Sequence, residues 1–279
     1  MDLGIKNKVA FSTGASSGIG LATAELFAKE GAKVIICGRN EANLKKAKDE
    51  IKKLTGHEVD FFSCDTSKFD HVEKVVSKII EKYKKIDILI NNAGKAQAGG
   101  VVDAPDEAWK SMIDVKIYSL INTCKTIAPI MKKNNWGRIV NMSSIGGIYP
   151  NPKLTISHGL SAAINNLTRS LSLDLAPYNI IANAIGIGAV RTKNWEENML
   201  PKVRQTRKDL ANLDDEVIKN ELAELIYQKG KFDYNRKILE EIQNNKFNNT
   251  KFDELSNFDK EYMSISSIND DKVFEINSV

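Results

Sequence analysis

One glycine-rich segment, residues 13–20 (Thr-Gly-Ala-Ser-Ser-Gly-Ile-Gly), constrains the fold of this chain more than any other. It follows an apolar run at 9–11 and precedes an amphipathic pattern at 21–29, which predicts a strand, a tight turn and a helix in that order. The free N–H groups and the dipole of a helix N-terminus bind phosphate. A turn without a ligand is the alternative, but the flanking strand and helix favour a dinucleotide site. Its predicted contacts are Gly14, Ser16, Ser17, Gly18, Ile19 and Gly20.

Strand-like and helix-like segments alternate through the first 185 residues. This alternation predicts an α/β fold, a doubly wound parallel sheet of the Rossmann type with helices on both faces. Ligands bind such sheets at the carboxyl ends of the strands. The predicted strands are 9–12, 34–37, 58–62, 86–90, 138–142 and 180–184, and the predicted helices are 18–30, 41–54, 68–84, 106–133 and about 155–176.

The composition changes after Arg191. Residues 193–251 are rich in Lys, Glu and Asn, and they carry amphipathic helical patterns at 194–203, 213–227 and 234–244. Beyond them, residues 272–276 alternate like a last strand, which would bring the sheet to about seven strands. We therefore expect a single domain over 1–279 with an extended lid at 193–251.

The bulk composition narrows the functional classes. At 279 residues and 42% hydrophobic, the chain can bury a full core. Its 40 basic and 36 acidic residues are interspersed, so no nucleic-acid-binding surface is expected. No apolar run is long enough to span a membrane, and no His, Cys or carboxylate cluster has metal-ligand spacing. Three cysteines in separate apolar runs predict buried free thiols in a cytoplasmic protein.

Further motifs extend the first one. The pattern Asn-Asn-Ala-Gly follows the fourth predicted strand at 91–94, Asp65 follows the third, and Gly-Ala-Val-Arg-Thr stands at 188–192. With the loop at 13–20, these make the chain resemble the short-chain dehydrogenase/reductase (SDR) family over nearly its whole length. The resemblance implies hydride transfer between a nicotinamide cofactor and a carbonyl or alcohol. It also implies a homodimer or homotetramer built through the helices at 106–133 and 155–176. The cofactor contacts that it adds are Asp65, Asn91, Ala93, Gly94, Val190 and Thr192.

The same resemblance implies a catalytic set of Asn, Ser, Tyr and Lys. In the family, the Tyr exchanges a proton with the substrate oxygen, and the Lys four residues later lowers the Tyr pKa. The Ser maps to Ser144, but the Tyr position holds Ser157 and the Lys position holds Ser161. Lys116 stands where the family usually has its Asn. One member of the set therefore survives, and the Tyr/Lys motif is degenerate.

The loss of the tyrosine changes the available chemistry. A phenol with a pKa of ~10 can be tuned toward neutrality by a nearby cation, whereas a serine hydroxyl is too weak an acid without a dedicated base. Ser157 and Ser161 share a helix face and can still hydrogen-bond a ligand or a water. Lys116 is the candidate for an atypical proton donor, since its ammonium would lie near the space vacated at 161. The alternative is a solvated Lys or one paired with Asp114.

Three neighbouring residues could be mistaken for catalytic groups. Tyr149 and Lys153 satisfy the spacing of the missing motif, but prolines at 150 and 152 forbid the helical turn that would align them. His158 lies one residue past the Tyr position and would point about 100° away on a helix, so we expect a structural role.

The residue after the second strand indicates which dinucleotide binds. An acidic residue there would bind the 2′-hydroxyl of NAD. The chain instead has Arg39, followed by Asn40, and a guanidinium matches a 2′-phosphate by bidentate contacts. We predict that NADP(H) is favoured over NAD(H).

Together these features predict a cytoplasmic NADP(H)-dependent oxidoreductase that acts on a small-molecule carbonyl or alcohol, with no nucleic-acid or membrane partner. Two alternatives stay open. One is a catalytically silent relative that binds NADP as a sensor or scaffold, and the other is non-redox chemistry in the same pocket.

Overall fold

The computed structural model describes residues 3–95, 97–188, 190, 200–201, 204, 212–215 and 217–218. The chain forms two compact units, Met1–Asn212 and Leu213–Val279. Most of the second unit lies outside the described residues, and nearly all of the described residues belong to the first unit. The predicted last strand at 272–276 and nearly all of the predicted lid at 193–251 also lie outside them.

The core of the first unit is a parallel sheet of six strands among the described residues. The strand order β3-β2-β1-β4-β5-β6 confirms the predicted doubly wound fold. The direction of winding reverses between β1 and β4, and ligands of such sheets bind in the crevice at this point. The strands are β1 (Val9–Thr13), β2 (Lys33–Gly38), β3 (Asp60–Ser63), β4 (Ile88–Asn91), β5 (Gly137–Ser144) and β6 (Ile180–Ile187).

Helices cover both faces of the sheet because alternate residues of the central strands point to opposite sides. In β2, Ile35 joins a core cluster with α3, α5 and α6, whereas Ile36 joins a second cluster with α1 and α2. The helices are α1 (Gly18–Lys29), α2 (Glu41–Thr55), α3 (Phe69–Tyr83), α4 (Asp106–Ile113), α5 (Ser119–Lys133) and α6 (Thr155–Leu175).

The single helix predicted at 106–133 is wrong in one respect. A π-helical turn, Asp114–Tyr118, separates α4 from α5. There the N–H of Ser119 donates to the carbonyl of Asp114, five residues back instead of four. Such turns insert a residue into a helix and often occur at functional sites. The π turn of this chain contains Lys116. The sequence did not predict it, because one extra residue in a helical turn hardly changes an apolar pattern of period 3.6.

The predicted buried, free state of the three cysteines is confirmed for Cys37, Cys64 and Cys124. In the part of the chain that the structure describes, no helix is long and apolar enough to cross a membrane.

Candidate active site

The glycine loop is fixed to the end of β4 by two polar side chains. The Thr13 hydroxyl accepts the N–H groups of Asn92 and Ala93, both at 3.0 Å, and donates to the Ile90 carbonyl at 3.3 Å. The Asn92 amide donates to the carbonyls of Thr13 and Gly14 at 3.1 and 3.0 Å. These contacts join the two loops that border the crevice between β1 and β4. Thr13 and Asn92 belong to the motifs at 13–20 and 91–94, but neither was among the predicted site residues.

The glycine loop and the start of α1 have the backbone features of an anion site. Gly14 has φ +61°, and a Cβ atom there would lie 2.8 Å from the Cα of Ala93. The side chain of Ser17, the residue that precedes α1, does not cap the helix, and the first turn of α1 carries no acidic residue. The N–H groups of this turn can therefore point at phosphate oxygens. These residues fit the pyrophosphate of a dinucleotide, and the individual contacts predicted for the loop stay predictions.

A substitution at Gly20 tests whether the glycine loop binds the cofactor phosphates. A Cβ atom at Gly20 would lie 2.5 Å from Asn92 Nδ2 and 2.6 Å from the Gly14 carbonyl oxygen. We expect Gly20→Ala to displace the loop and to weaken NADP(H) binding by about tenfold or more, because the phosphate contacts depend on its position. Isothermal titration calorimetry measures this affinity.

Gly159→Ala is the matched control for the Gly20 substitution. Nothing lies within 4 Å of a Cβ atom at Gly159, which is exposed on α6. Alanine there favours the helix, so binding should be unchanged. Wild-type affinity in Gly20→Ala would show that the loop does not hold the cofactor.

The loops after β2 and β3 bring Arg39, Asn40 and Asp65 to adjacent strand ends. Arg39 is exposed, and its carbonyl accepts the Ser63 hydroxyl at 3.2 Å. The Asn40 side chain caps α2 by accepting the N–H of Asn43 at 2.9 Å. Burial acts to raise the pKa of Asp65, but hydrogen bonds from Ser67 and the charges of Arg39 and Lys68 outweigh it and leave this pKa lowered. Asp65 therefore offers an ionised acceptor beside the guanidinium.

The Asn91 side chain is used inside the protein. Its amide donates to Asn141 at 2.8 Å and its carbonyl oxygen accepts the Thr123 hydroxyl at 2.6 Å. Asn141 in turn donates to Thr168 at 2.9 Å. This buried network ties β4 and β5 to α5 and α6, so only the main chain of Asn91 remains for the predicted cofactor contact.

The other predicted cofactor contacts differ in how far the structure describes them. The N–H of Ala93 is taken up by Thr13, and Gly94 follows directly. Val190 is 44% exposed, and Thr192 lies outside the described residues.

Lys116 reaches the helix position that the family lysine would occupy. Its Nζ atom donates to Ser161 Oγ at 3.1 Å and to the Ser157 carbonyl at 3.3 Å. Burial lowers the pKa of Lys116. No ion pair of Lys116 occurs within the described part of the chain, and the pairing with Asp114 that the sequence left open is not formed there. Desolvation makes this amine a weaker base than a solvated lysine, which eases the loss of its proton.

Ser161 connects Lys116 to the end of β5. Its side chain is fully buried and donates to the Ser157 carbonyl at 2.8 Å while accepting from Lys116. Its carbonyl accepts the hydroxyl of Ser143 at 3.1 Å. The next residue, Ser144, is partly exposed and accepts the N–H of Gly146 at 3.2 Å. Ser144 thus lies beside the strand residue that contacts Ser161.

Ser157 and His158 are engaged by neighbouring main chain. The hydroxyl of Ser157 bonds both main-chain groups of Gln97. The His158 Nδ1 atom accepts the N–H of Asn151 at 3.0 Å, and burial and the charge of Lys116 lower the pKa of this imidazole. A neutral, internally bonded His158 agrees with the structural role expected. The Tyr149 and Lys153 pair precedes α6, which begins at Thr155, so the prediction that they do not form a helical pair is confirmed.

A parallel sheet with a glycine loop and an Asn-Asn-Ala-Gly turn at its switch point defines a class of nicotinamide-dinucleotide-binding oxidoreductases. Residues 8–202 match the sequence model of the family described as short chain dehydrogenase. The chain therefore belongs to the short-chain dehydrogenase/reductase family, as the motifs implied.

The chain is similar to other proteins in sequence and in structure. A 3-oxoacyl-[acyl-carrier-protein] reductase of Thermotoga maritima is 37% identical over 202 residues, which are 72% of this chain and 81% of that protein. The structure of L-sorbose reductase from Gluconobacter frateurii, complexed with NADPH and L-sorbose, has a TM-score of 0.69 at 31% identity. The match covers 75% of this chain and 78% of the reductase chain. The structure of an NAD+-bound xylitol dehydrogenase has a TM-score of 0.67 at 32% identity. The match covers 72% of this chain and 77% of the dehydrogenase chain.

Proposed function

We propose that this protein is an NADP(H)-dependent reductase of carbonyl compounds, reversible to alcohol oxidation, with Lys116 as its proton donor. The observation that carries the proposal is the 3.1 Å contact between Lys116 Nζ and Ser161 Oγ. It brings an ammonium from the π-helical turn to the helix position where the family has its catalytic lysine. A cation therefore stands at that position, although no lysine is encoded there.

The cofactor would be held by the loops at the carboxyl ends of β1, β2 and β3. The glycine loop and the start of α1 would take the pyrophosphate, and Asp65 would lie near the adenine. A bound nicotinamide supplies or accepts the hydride. Arg39 favours the 2′-phosphate of NADP(H). The relatives do not decide this point, because one structure has NADPH and another NAD+.

Ser144 and Lys116 would share the work at the substrate oxygen. The Ser144 hydroxyl accepts the N–H of Gly146 and would donate its own proton to the carbonyl oxygen, which orients the substrate. The Lys116 ammonium has three donors, of which Ser161 and Ser157 take two. The third would transfer a proton to the alkoxide that forms during reduction. Since burial lowers the Lys116 pKa, the neutral amine that remains is favoured at this site.

The test is turnover by the purified full-length protein on a panel of ketones, aldehydes and keto sugars. We expect oxidation of NADPH with at least one of them and formation of the corresponding alcohol, identified by mass spectrometry. Tight NADPH binding with no turnover across the panel would instead support the catalytically silent alternative. A product formed without NADPH consumption would support non-redox chemistry.

A further inference from the structure

The first turn of α6 is joined to the loop that follows β4 by one serine hydroxyl. Ser157 Oγ accepts the N–H of Gln97 at 2.8 Å and donates to the Gln97 carbonyl at 3.0 Å. Ser157 is 7% exposed, and the two residues are 60 positions apart in the sequence. One side chain thus satisfies both main-chain groups of a loop residue.

A second contact continues this attachment. The N–H of Gly99 donates to the Lys153 carbonyl at 2.9 Å, and Gly99 pairs with Leu154 as an isolated parallel bridge. Gly99 has φ +142°, and a Cβ atom there would lie 2.8 Å from the Cβ of Ala104. Residues 97–100, which we call the clamped segment, therefore run beside residues 153–157 in a conformation that favours glycine.

The two hydrogen bonds between Ser157 and Gln97, which we call the clamp, are made from the helix position where the family has its tyrosine. The Ser157 hydroxyl donates its single proton to the Gln97 carbonyl and accepts the Gln97 N–H with one lone pair, so its proton is not available to a substrate. A phenol extending along the direction of Ser157 Oγ would overlap the main chain of Gln97. In this chain, the side chain at this helix position holds a loop residue.

We propose that Ser157 is a positioning residue, which fixes the clamped segment as a wall of the substrate site between the end of β4 and Lys116. This role rests on the proposed function, since it assigns a substrate to the site. Lys116 bonds the main-chain carbonyl of Ser157 and not its hydroxyl. Removing the hydroxyl should therefore loosen the wall and leave the Lys116 contact in place.

Hydrogen exchange measures the clamp without any need for turnover. In Ser157→Ala, we expect the amide of Gln97 to exchange about tenfold faster, because it loses its acceptor. Ser157→Thr keeps a hydroxyl and should restore protection. Ser172→Ala is the matched control, since this exposed hydroxyl on the same helix bonds only the carbonyl of Arg169 among the described residues. Unchanged exchange in Ser157→Ala would overturn the clamp.

Steady-state kinetics measure the positioning role. For a carbonyl that the wild type reduces, we expect Ser157→Ala to raise KM several-fold, with kcat nearly unchanged and Ser157→Thr close to wild type. The assignment of a substrate wall would be overturned if Ser157→Ala exchanges faster at Gln97 but keeps the wild-type KM, whether or not its kcat falls. If the wild type reduces no carbonyl, the proposed function and this wall fail together, while the exchange result still decides whether the clamp exists.

Discussion

Replacing Lys116 with methionine is expected to lower kcat for carbonyl reduction by about 10²–10⁴-fold, the usual contribution of a positioned general acid. Methionine keeps the length and apolar stem of the side chain but cannot donate a proton. NADPH affinity should change little, since the glycine loop and Arg39 are untouched. Stopped-flow or steady-state assays with a substrate from the carbonyl panel, together with calorimetric titration of NADPH, separate the two quantities.

The same substitution is expected to stabilise the fold. Burial lowers the folded-state pKa of Lys116 below its usual 10.5, so the ammonium destabilises the native state at pH values below that folded pKa. The penalty shrinks as pH rises from the folded pKa toward 10.5, because the unfolded state then binds more protons than the native state. Lys116→Met should therefore raise Tm at neutral pH, and by less at alkaline pH. Thermal unfolding across pH measures this difference.

The pH dependence of activity follows from the same group. If the protonated amine is the donor, kcat/KM for reduction should fall as pH rises through the lowered pKa of Lys116. His158 is close enough to be influenced by this charge, so the profile should be repeated with His158→Gln. Lys110→Met, on the exposed side of α4, is the matched control and should leave the profile unaltered. Wild-type turnover in Lys116→Met would remove this residue from the mechanism.

Arg39→Asp is expected to reverse the cofactor preference. In the wild type, we expect the guanidinium to pair with the 2′-phosphate and NADPH to bind about 10–100-fold more tightly than NADH. Aspartate would repel this phosphate and accept a hydrogen bond from the 2′-hydroxyl of NADH. The substitution would also remove the guanidinium, whose positive charge helps to lower the Asp65 pKa. Dissociation constants for both nucleotides, measured by fluorescence titration, give the ratio.

The charge control for this experiment is Arg169→Asp, an exposed position on α6. It changes the net charge by the same amount and should leave the ratio of the two dissociation constants unaltered. Equal or tighter binding of NADH by the wild type would contradict the predicted preference for NADP(H). Retention of that preference in Arg39→Asp would show that other residues select the 2′-phosphate.

The order of strands and helices was predictable because it depends on local patterns. The apolar run at 9–11 and the glycines that follow it indicate a strand and a turn wherever they occur. The first and last residues of the elements were less predictable, and β3 begins at Asp60 instead of the predicted residue 58. The π turn at Asp114–Tyr118 escaped prediction, since one hydrogen bond with a different partner leaves the apolar pattern almost unaltered.

The sequence alone determined the fold class, the cofactor loop and the absence of the family's tyrosine and lysine from α6. The tertiary structure decided what took their places. Lys116 meets Ser161 across 45 residues, and Gln97 meets Ser157 across 60. Local propensity does not reach across such separations. These pairs form because packing of α4, α5 and α6 on the sheet brings distant polar atoms together, and buried polar groups require partners.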